Sequence, residues 1–126
     1  MGKVLVAYAT RGGTARDIAD TVGSTLRSAG HEVRVADLKS RPAVDDAELV
    51  VLGSGVNAGS WYQEATAWVS AQEPALVVTR VAVFNACLNA ADPAKRAESL
   101  AYNASMADRV GAEASESFAG RFVPEH

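Results

Sequence analysis

The stretch AYATRGGTARDIA, residues 7–19, joins an apolar segment to a helical one through two glycines flanked by threonines. Before the glycines, KVLVAYA (3–9) is a near-continuous apolar run, which is typical of a parallel strand covered on both faces. After them, apolar residues recur every four positions from Ile18 to Leu26 until Gly30, which predicts a helix of about four turns. The stretch therefore predicts a strand, a glycine turn and a helix.

The composition limits the classes of protein that the chain can represent. Its 126 residues, 48% hydrophobic and 21% charged, predict one globular domain over residues 1–126. The net charge of -3 and the scattered lysines and arginines predict no nucleic-acid partner. No apolar run approaches the roughly 20 residues of a membrane-spanning helix, and Met1-Gly2-Lys3 leads into a strand without a signal-peptide pattern. The single cysteine, Cys87, fits a reducing compartment, so we expect a cytoplasmic protein without disulfides or a metal site.

The strand pattern recurs along the chain. HEVRVADL (31–38) alternates like an edge strand, AELVVLGS (47–54) and VAVFNA (81–86) are buried runs, and EASESFAG (113–120) is a last, more polar strand. Strands that alternate with helices predict an α/β fold with a parallel sheet and right-handed crossovers.

Two further helices are predicted between these strands. One has its apolar residues at helical spacing at Tyr62, Ala65, Trp68 and Val69. The other starts at Asp92-Pro93, with Asp as the cap and Pro in the first position. Its predicted apolar stripe consists of Leu100, Ala101, Ala104 and Ala107.

Ligands of such sheets bind beyond the carboxyl ends of the strands, where the strand order reverses. The first loop at this edge consists of Thr10, Arg11, Gly12, Gly13, Thr14 and Ala15. Exposed backbone N–H groups at a helix N-terminus suit a phosphate. In the other interpretation, which is compatible with the first, Thr14 caps the helix and Asp17 completes a capping box. The loop is not a Walker A motif, which disfavours a nucleoside triphosphatase.

The second loop, within residues 54–62, carries a large aromatic pair, Trp61 and Tyr62. Exposed aromatic rings leave apolar area in water, so either a flat aromatic ligand or packing onto the following helix would explain them. The candidate ligand-contacting residues of this loop are Asn57, Ala58, Gly59, Ser60 and Trp61.

The third loop supplies amides, small residues and a thiol. Its candidate residues are Asn85, Ala86, Cys87, Leu88, Asn89 and Ala90. Asparagine side chains and backbone groups can bind the polar edge of a heterocycle. Cys87 has no nearby histidine and no C-x-x-C partner, so we interpret it as a small residue near the ligand. The three loops hold no cluster of histidines or carboxylates, and no catalytic residue is predicted.

These residues resemble the flavodoxin signature. Its positions are filled by Tyr8, Thr10, Gly13, Ala19 and Val22, whereas Ala15 stands where the family has Thr. Within the flavodoxin-like group, the sequence is more closely similar to the menaquinone-dependent protoporphyrinogen oxidases and their flavodoxin-domain relatives. The stretches that carry this similarity are ATRGGTARDIA, VLGSGVNAGSWY and NACLNAADPAKR.

The resemblance implies a doubly wound parallel sheet of order 2-1-3-4-5 that binds FMN noncovalently at the strand ends. By position, residues 10–15 would hold the phosphate, residues 57–61 would line one side of the isoalloxazine with Trp61 stacked on it, and residues 85–90 would line the other side. The implied function is electron transfer between a reductase and an acceptor, with a quinone as one acceptor or protoporphyrinogen-type oxidation as the reaction.

The family has a last helix after the final strand, and its oxidases have a long insertion near that strand, whereas this chain ends at GRFVPEH (120–126). We therefore expect the last helix to be missing: either a sheet face is uncovered, which favours a homodimer, or the chain belongs with a missing segment. These departures, with Ala15, also leave a second interpretation open, that of a cofactor-free interaction or regulatory domain.

Overall fold

Strands and helices alternate through residues 2–57, 60–86 and 96–118, which are the residues that the computed structural model describes. The strands are β1 (Lys3–Ala9), β2 (Glu32–Asp37), β3 (Leu49–Asn57), β4 (Ser60–Trp61), β5 (Arg80–Ala86) and β6 (Ala114–Phe118). The helices are α1 (Thr14–Ser28), α2 (Gln63–Leu76), α3 (Arg96–Ala101) and α4 (Ala104–Val110), with a short 3₁₀ turn at Leu38–Ser40.

Five strands form a parallel sheet in the order β2-β1-β3-β5-β6. This is the predicted order 2-1-3-4-5 of the five main strands, and the prediction of a flavodoxin-like α/β fold is confirmed. The short strand β4 lies inside the predicted second loop and pairs antiparallel with the end of β3, with Trp61 opposite Val56. A two-residue strand is too short to produce a detectable periodicity in the sequence.

Helices cover both faces of the sheet. Alternate residues of β1 face opposite sides, as the pleat requires. Val4 and Val6 join Ile18 of α1 in one apolar cluster, whereas Leu5 joins Trp68 of α2 in the other. Burial on both faces explains why β1 is a continuous apolar run.

The start of α1 differs from the predicted capping box. Gly13 is the residue that precedes the helix, at φ 90°, a left-handed conformation that glycine adopts readily. Thr14 is already the first helical residue, and no side chain of the described residues caps the helix. The prediction that Thr14 is the cap is therefore wrong, because the chain turns into the helix one residue earlier.

The predicted third helix is divided in two. Helix α3 ends at Ala101 and α4 begins at Ala104, and both of these alanines are exposed rather than part of an apolar stripe. Asn103, between the two helices, is fully buried. The predicted continuous stripe is therefore wrong, because the chain breaks where a polar side chain turns inward. The predicted start at Asp92-Pro93 lies outside the described residues.

The last strand is the edge of the sheet, beyond β5. Phe118 is 38% exposed, and its ring packs edge-on against Phe84 with 6.0 Å between the ring centroids. Residues 119–126, on which the expected loss of the last helix rests, lie outside the described residues. No helix of the described ranges is long and apolar enough to cross a membrane.

Candidate functional site

The candidate site lies at the carboxyl ends of β1 and β3. The chain leaves β1 for β2 on one side and leaves β3 for β5 on the other, so the strand order reverses between β1 and β3. The loop after β1 and the turn around β4 flank this reversal point, as ligand-binding loops do in open parallel sheets. Two of the three predicted loops are thus brought together.

The first loop is stabilised by a hydrogen bond of its own. The backbone N–H of Gly13 donates to Thr10 Oγ1 over 2.9 Å, and the first bond of α1 runs from the Asp17 N–H to the Gly13 carbonyl. The N–H groups of residues 14–16 precede that bond and therefore have no acceptor within the helix. Ala15, the departure from the flavodoxin signature, is buried at 1% exposure.

An ion pair connects this loop to the start of α2. Both terminal nitrogens of Arg11 donate to the Glu64 carboxylate, with 2.7 Å from Nη2 to Oε1. The guanidinium also lies over the Tyr62 ring, 4.2 Å from its centroid, a cation–π geometry. The Arg11 hydrogen bond lowers the pKa of Glu64, and burial of the carboxylate opposes this effect. The pair holds the Tyr62 segment against the first loop.

The turn around β4 places its two aromatic residues differently. The Tyr62 N–H donates to Ser54 Oγ over 3.0 Å, and the half-buried ring packs so closely on Gly55 that a Cβ there would lie 2.7 Å from it. Trp61 is 6% exposed, and its indole N–H donates to Asn103 Oδ1 over 2.9 Å. This placement favours the interpretation in which Trp61 packs inward, and it leaves Tyr62 as the aromatic side chain nearer the surface.

The third loop begins from a buried amide. Asn85 at the end of β5 is fully buried; its Nδ2 donates to Asn103 Oδ1 and its Oδ1 accepts from Ser117 Oγ. Those bonds direct the amide into the protein rather than toward a ligand. Ala86 is half-buried. The remaining candidates of the second and third loops, Ala58, Gly59, Cys87, Leu88, Asn89 and Ala90, and the side chain of Asn57, lie outside what the structure describes.

A cavity of about 690 Å³ opens between the first loop and β4. Its lining residues are Arg11, Val56, Ser60, Trp61, Tyr62 and Gln63. Of the predicted residues, Arg11, Ser60 and Trp61 line it, the last through the small part of its ring that is exposed. Sequence reasoning missed Glu64 and Asn103 as parts of the surroundings. The sequence did contain an indication of Asn103, because this residue lies three positions after Leu100 and therefore on the predicted apolar stripe.

The described residues offer little for metal or acid–base chemistry. In residues 2–57, 60–86 and 96–118, no group of three or more His, Cys, Asp or Glu side chains could hold a metal ion. The carboxylate nearest the cavity, Glu64, is engaged by Arg11. The donors at this edge are a hydroxyl, a guanidinium and backbone N–H groups, which suit an anionic ligand.

The doubly wound sheet, with a glycine turn into α1 at the reversal point, defines a flavodoxin-like protein. The sequence profile described as Flavodoxin domain matches residues 5–123. The chain therefore belongs to the flavodoxin domain family. No curated protein matches the sequence.

Solved structures show the same fold at low sequence identity. Oxidised Flavodoxin 1 from Bacillus cereus has a TM-score of 0.74 and 18% identity, covering 98% of this chain and 88% of that one. Oxidised Flavodoxin 2 from the same organism has a TM-score of 0.69 and 23% identity, with coverages of 98% and 87%. Rubredoxin oxygen:oxidoreductase from Desulfovibrio gigas has a TM-score of 0.75 and 14% identity; this chain spans only 32% of that protein. The TM-scores show a shared fold, and the low identities show nothing beyond it.

Proposed function

We propose that the protein binds FMN noncovalently beyond the carboxyl end of β1 and transfers electrons between a reductase and an acceptor. The observation that carries the proposal is the turn at Gly12 and Gly13, which leads β1 directly into α1 without a side-chain cap. Such a helix start presents N–H groups and the positive end of the helix dipole to an anion. Membership of the flavodoxin domain family supports FMN as the source of that anion.

The phosphate would bind to the first loop. Thr10 Oγ1, which accepts the Gly13 N–H, can donate its own hydroxyl proton to a phosphate oxygen. A Cβ at Gly12 would meet no atom within 4 Å, so the backbone there is open to close approach. Ala15 is packed in the apolar cluster beneath α1, so the site relies on Thr10 and on backbone donors. These groups fit a phosphate monoester.

The flavin ring would occupy the cavity beside Tyr62. Val56 and Tyr62 supply apolar wall and Ser60 supplies a polar group. FMN supplies the redox chemistry when it is bound, and the protein binds, orients and shields it. Arg11 has a specific role in this arrangement, because its contacts with the Tyr62 ring and Glu64 would hold the Tyr62 wall of the cavity against the first loop. None of these side chains needs to exchange a proton with a substrate.

The proposed electron acceptor rests on the similarity to the menaquinone-dependent protoporphyrinogen oxidases and their flavodoxin-domain relatives. We propose a redox partner protein or a quinone, with protoporphyrinogen-type oxidation as the associated reaction, in the cytoplasm. The partly exposed Phe118 on the edge strand is the surface through which we propose a homodimer.

The proposal is tested on the protein as it is purified. Flavin released by heat and identified by chromatography is expected to be FMN, and a dithionite titration is expected to bleach the visible spectrum reversibly. The reduced protein is then mixed with menadione, a soluble quinone, and re-oxidation is followed anaerobically. Failure to bind any flavin after reconstitution would favour a cofactor-free interaction domain. FMN binding without re-oxidation by menadione would contradict the quinone as acceptor.

A further inference from the structure

A group of buried polar side chains connects β5, β6 and the break between α3 and α4; we call it the asparagine cluster and define it as Asn85, Asn103 and Ser117. Both asparagines are fully buried and Ser117 is 3% exposed. Among the described residues, no buried side-chain nitrogen or oxygen lacks a hydrogen-bond partner. The cluster is therefore a satisfied polar network inside an otherwise apolar layer.

Asn103 is the centre of this network. Its Oδ1 accepts from Trp61 Nε1 and from Asn85 Nδ2, both over 2.9 Å. Its Nδ2 donates to Ser115 Oγ and to the Glu116 carbonyl, again both over 2.9 Å. An asparagine amide has two acceptor positions and two donor protons, and all four are used here.

The four bonds connect segments that are distant in the sequence. Trp61 belongs to β4 in the second loop, Asn85 is the residue before the last of β5, and residues 115–116 belong to β6. Asn103 itself lies in the break between α3 and α4. One side chain thus connects Trp61 of β4 to Asn85 near the end of β5, and all four of its hydrogen bonds go to residues outside the first loop.

We propose that Asn103 is a positioning residue for the flavin ring: through Trp61 and Asn85 it holds β4 and the end of β5 in the arrangement that binds the isoalloxazine. The inference rests on the proposed function. Loss of the amide weakens binding of the ring and alters the reduction potential of the flavin, whereas the phosphate end is unaffected because the first loop is held by Thr10 and Gly13. In this proposal Asn103 itself contacts neither the flavin ring nor the phosphate.

The first test needs no flavin. The chain has two tryptophans, and both indole N–H groups are hydrogen-bonded: Trp61 to Asn103, and Trp68 to the Pro42 carbonyl over 2.7 Å. In ¹⁵N-labelled protein, Asn103→Leu is expected to shift the Trp61 indole signal and to speed its hydrogen exchange about tenfold or more, since the bond is lost. The Trp68 signal is the internal control and is expected to stay unchanged.

Asn103→Asp is the conservative variant. It keeps oxygen acceptors for Trp61 and Asn85 but loses the two donors toward β6. The Trp61 indole is therefore expected to exchange more slowly than in Asn103→Leu. If the leucine variant fails to fold, this variant decides the same question, because the proposal requires flavin binding to follow the state of the Trp61 indole. Weakened FMN binding with an unchanged Trp61 signal, or unchanged FMN binding with a shifted and faster-exchanging signal, would overturn the proposal.

The second test measures the flavin. Asn103→Leu, which removes all four hydrogen bonds of the amide, is expected to raise the FMN dissociation constant about tenfold and to shift the reduction potential. The affinity for inorganic phosphate, measured as competition with FMN, is expected to stay unchanged. Trp68→Phe, which removes an indole hydrogen bond outside the cluster, is the control and is expected to leave the potential unchanged.

The outcomes distinguish failure of the positioning role of Asn103 from failure of FMN binding by the protein. A moved Trp61 signal with unchanged FMN affinity and potential would overturn the positioning role while FMN binding stands. Equal losses of FMN and phosphate affinity would also overturn it, since they indicate general loosening. If the unmodified protein binds no FMN, the proposed function and this inference both fail, and the indole exchange data still report whether Asn103 holds Trp61.

Discussion

The two adjacent glycines in the turn before α1, Gly12 and Gly13, lead to a quantitative prediction. Gly13 has φ 90°, whereas Gly12 has no such conformation and a Cβ on it would meet no atom within 4 Å. The same substitution, Gly→Ala, therefore has opposite consequences at neighbouring positions. Gly13→Ala is expected to strain the entry into α1, and Gly12→Ala is expected to be tolerated.

The size of the effect follows from the backbone. A non-glycine residue in the left-handed region costs about 1–2 kcal/mol, so the free energy of unfolding of Gly13→Ala should fall by about that amount. For a domain of this size, 1 kcal/mol corresponds to about 4 °C in Tm. Gly12→Ala should change stability by less than about 1 kcal/mol, and in the direction of greater stability, because alanine restricts the unfolded chain.

The assay is urea unfolding of both variants beside the unmodified protein, followed by FMN titration of each. Gly13→Ala is expected to weaken FMN binding as well, since relief of the strain moves the first-turn N–H groups. Gly12→Ala should bind FMN with an affinity close to that of the unmodified protein. Equal destabilisation by the two substitutions, or a larger loss at Gly12, would refute the account of this turn.

Three further predictions concern the same surroundings. Thr10→Val should weaken FMN binding about tenfold, the effect of one lost hydrogen bond to a charged group, with riboflavin binding unchanged; an equal loss for both flavins would contradict the phosphate assignment. Gly53→Ala should lower the free energy of unfolding by about 2–3 kcal/mol, because a Cβ there overlaps the Phe84 ring, and Phe84→Leu should restore part of it; no recovery in the double variant would contradict this packing. The Arg11 hydrogen bond lowers the pKa of Glu64 below its usual 4.5, so the stability that Glu64 adds over Glu64→Gln should be constant at neutral pH and decline as the pH falls below about 4.5 through the folded-state pKa; a difference that grows as the pH falls would exclude the ion pair as its source.

The features that could be predicted from the sequence are those with a local cause. Strand β1 could be predicted from its apolar run because both of its faces are buried. Helix α1 could be predicted from an apolar period that matches its packing on Val4 and Val6. The alternation of strands and helices predicted a parallel sheet, and the order of its strands followed from the resemblance to flavodoxins. The patterns of β1 and α1 depend on neighbours within about one strand or helix.

The features that were missed depend on distant residues. Trp61 packs inward because its indole bonds to Asn103, 42 positions away, and nothing near Trp61 in the sequence indicates this partner. The break between α3 and α4 has the same origin, since Asn103 turns toward β6 rather than toward solvent. The prediction that Thr14 caps α1 was wrong for a local reason, because Gly13 takes the cap position one residue earlier.

The central claim is that a phosphate-dependent flavin site lies at the start of α1. The most direct measurement is a titration of FMN with the apoprotein, followed by flavin fluorescence, with riboflavin as the parallel control. We predict that FMN fluorescence changes with saturation at low protein concentration and that riboflavin, which lacks the phosphate, binds far more weakly. Equal affinities for the two flavins, or no change with either at high protein concentration, would contradict the claim.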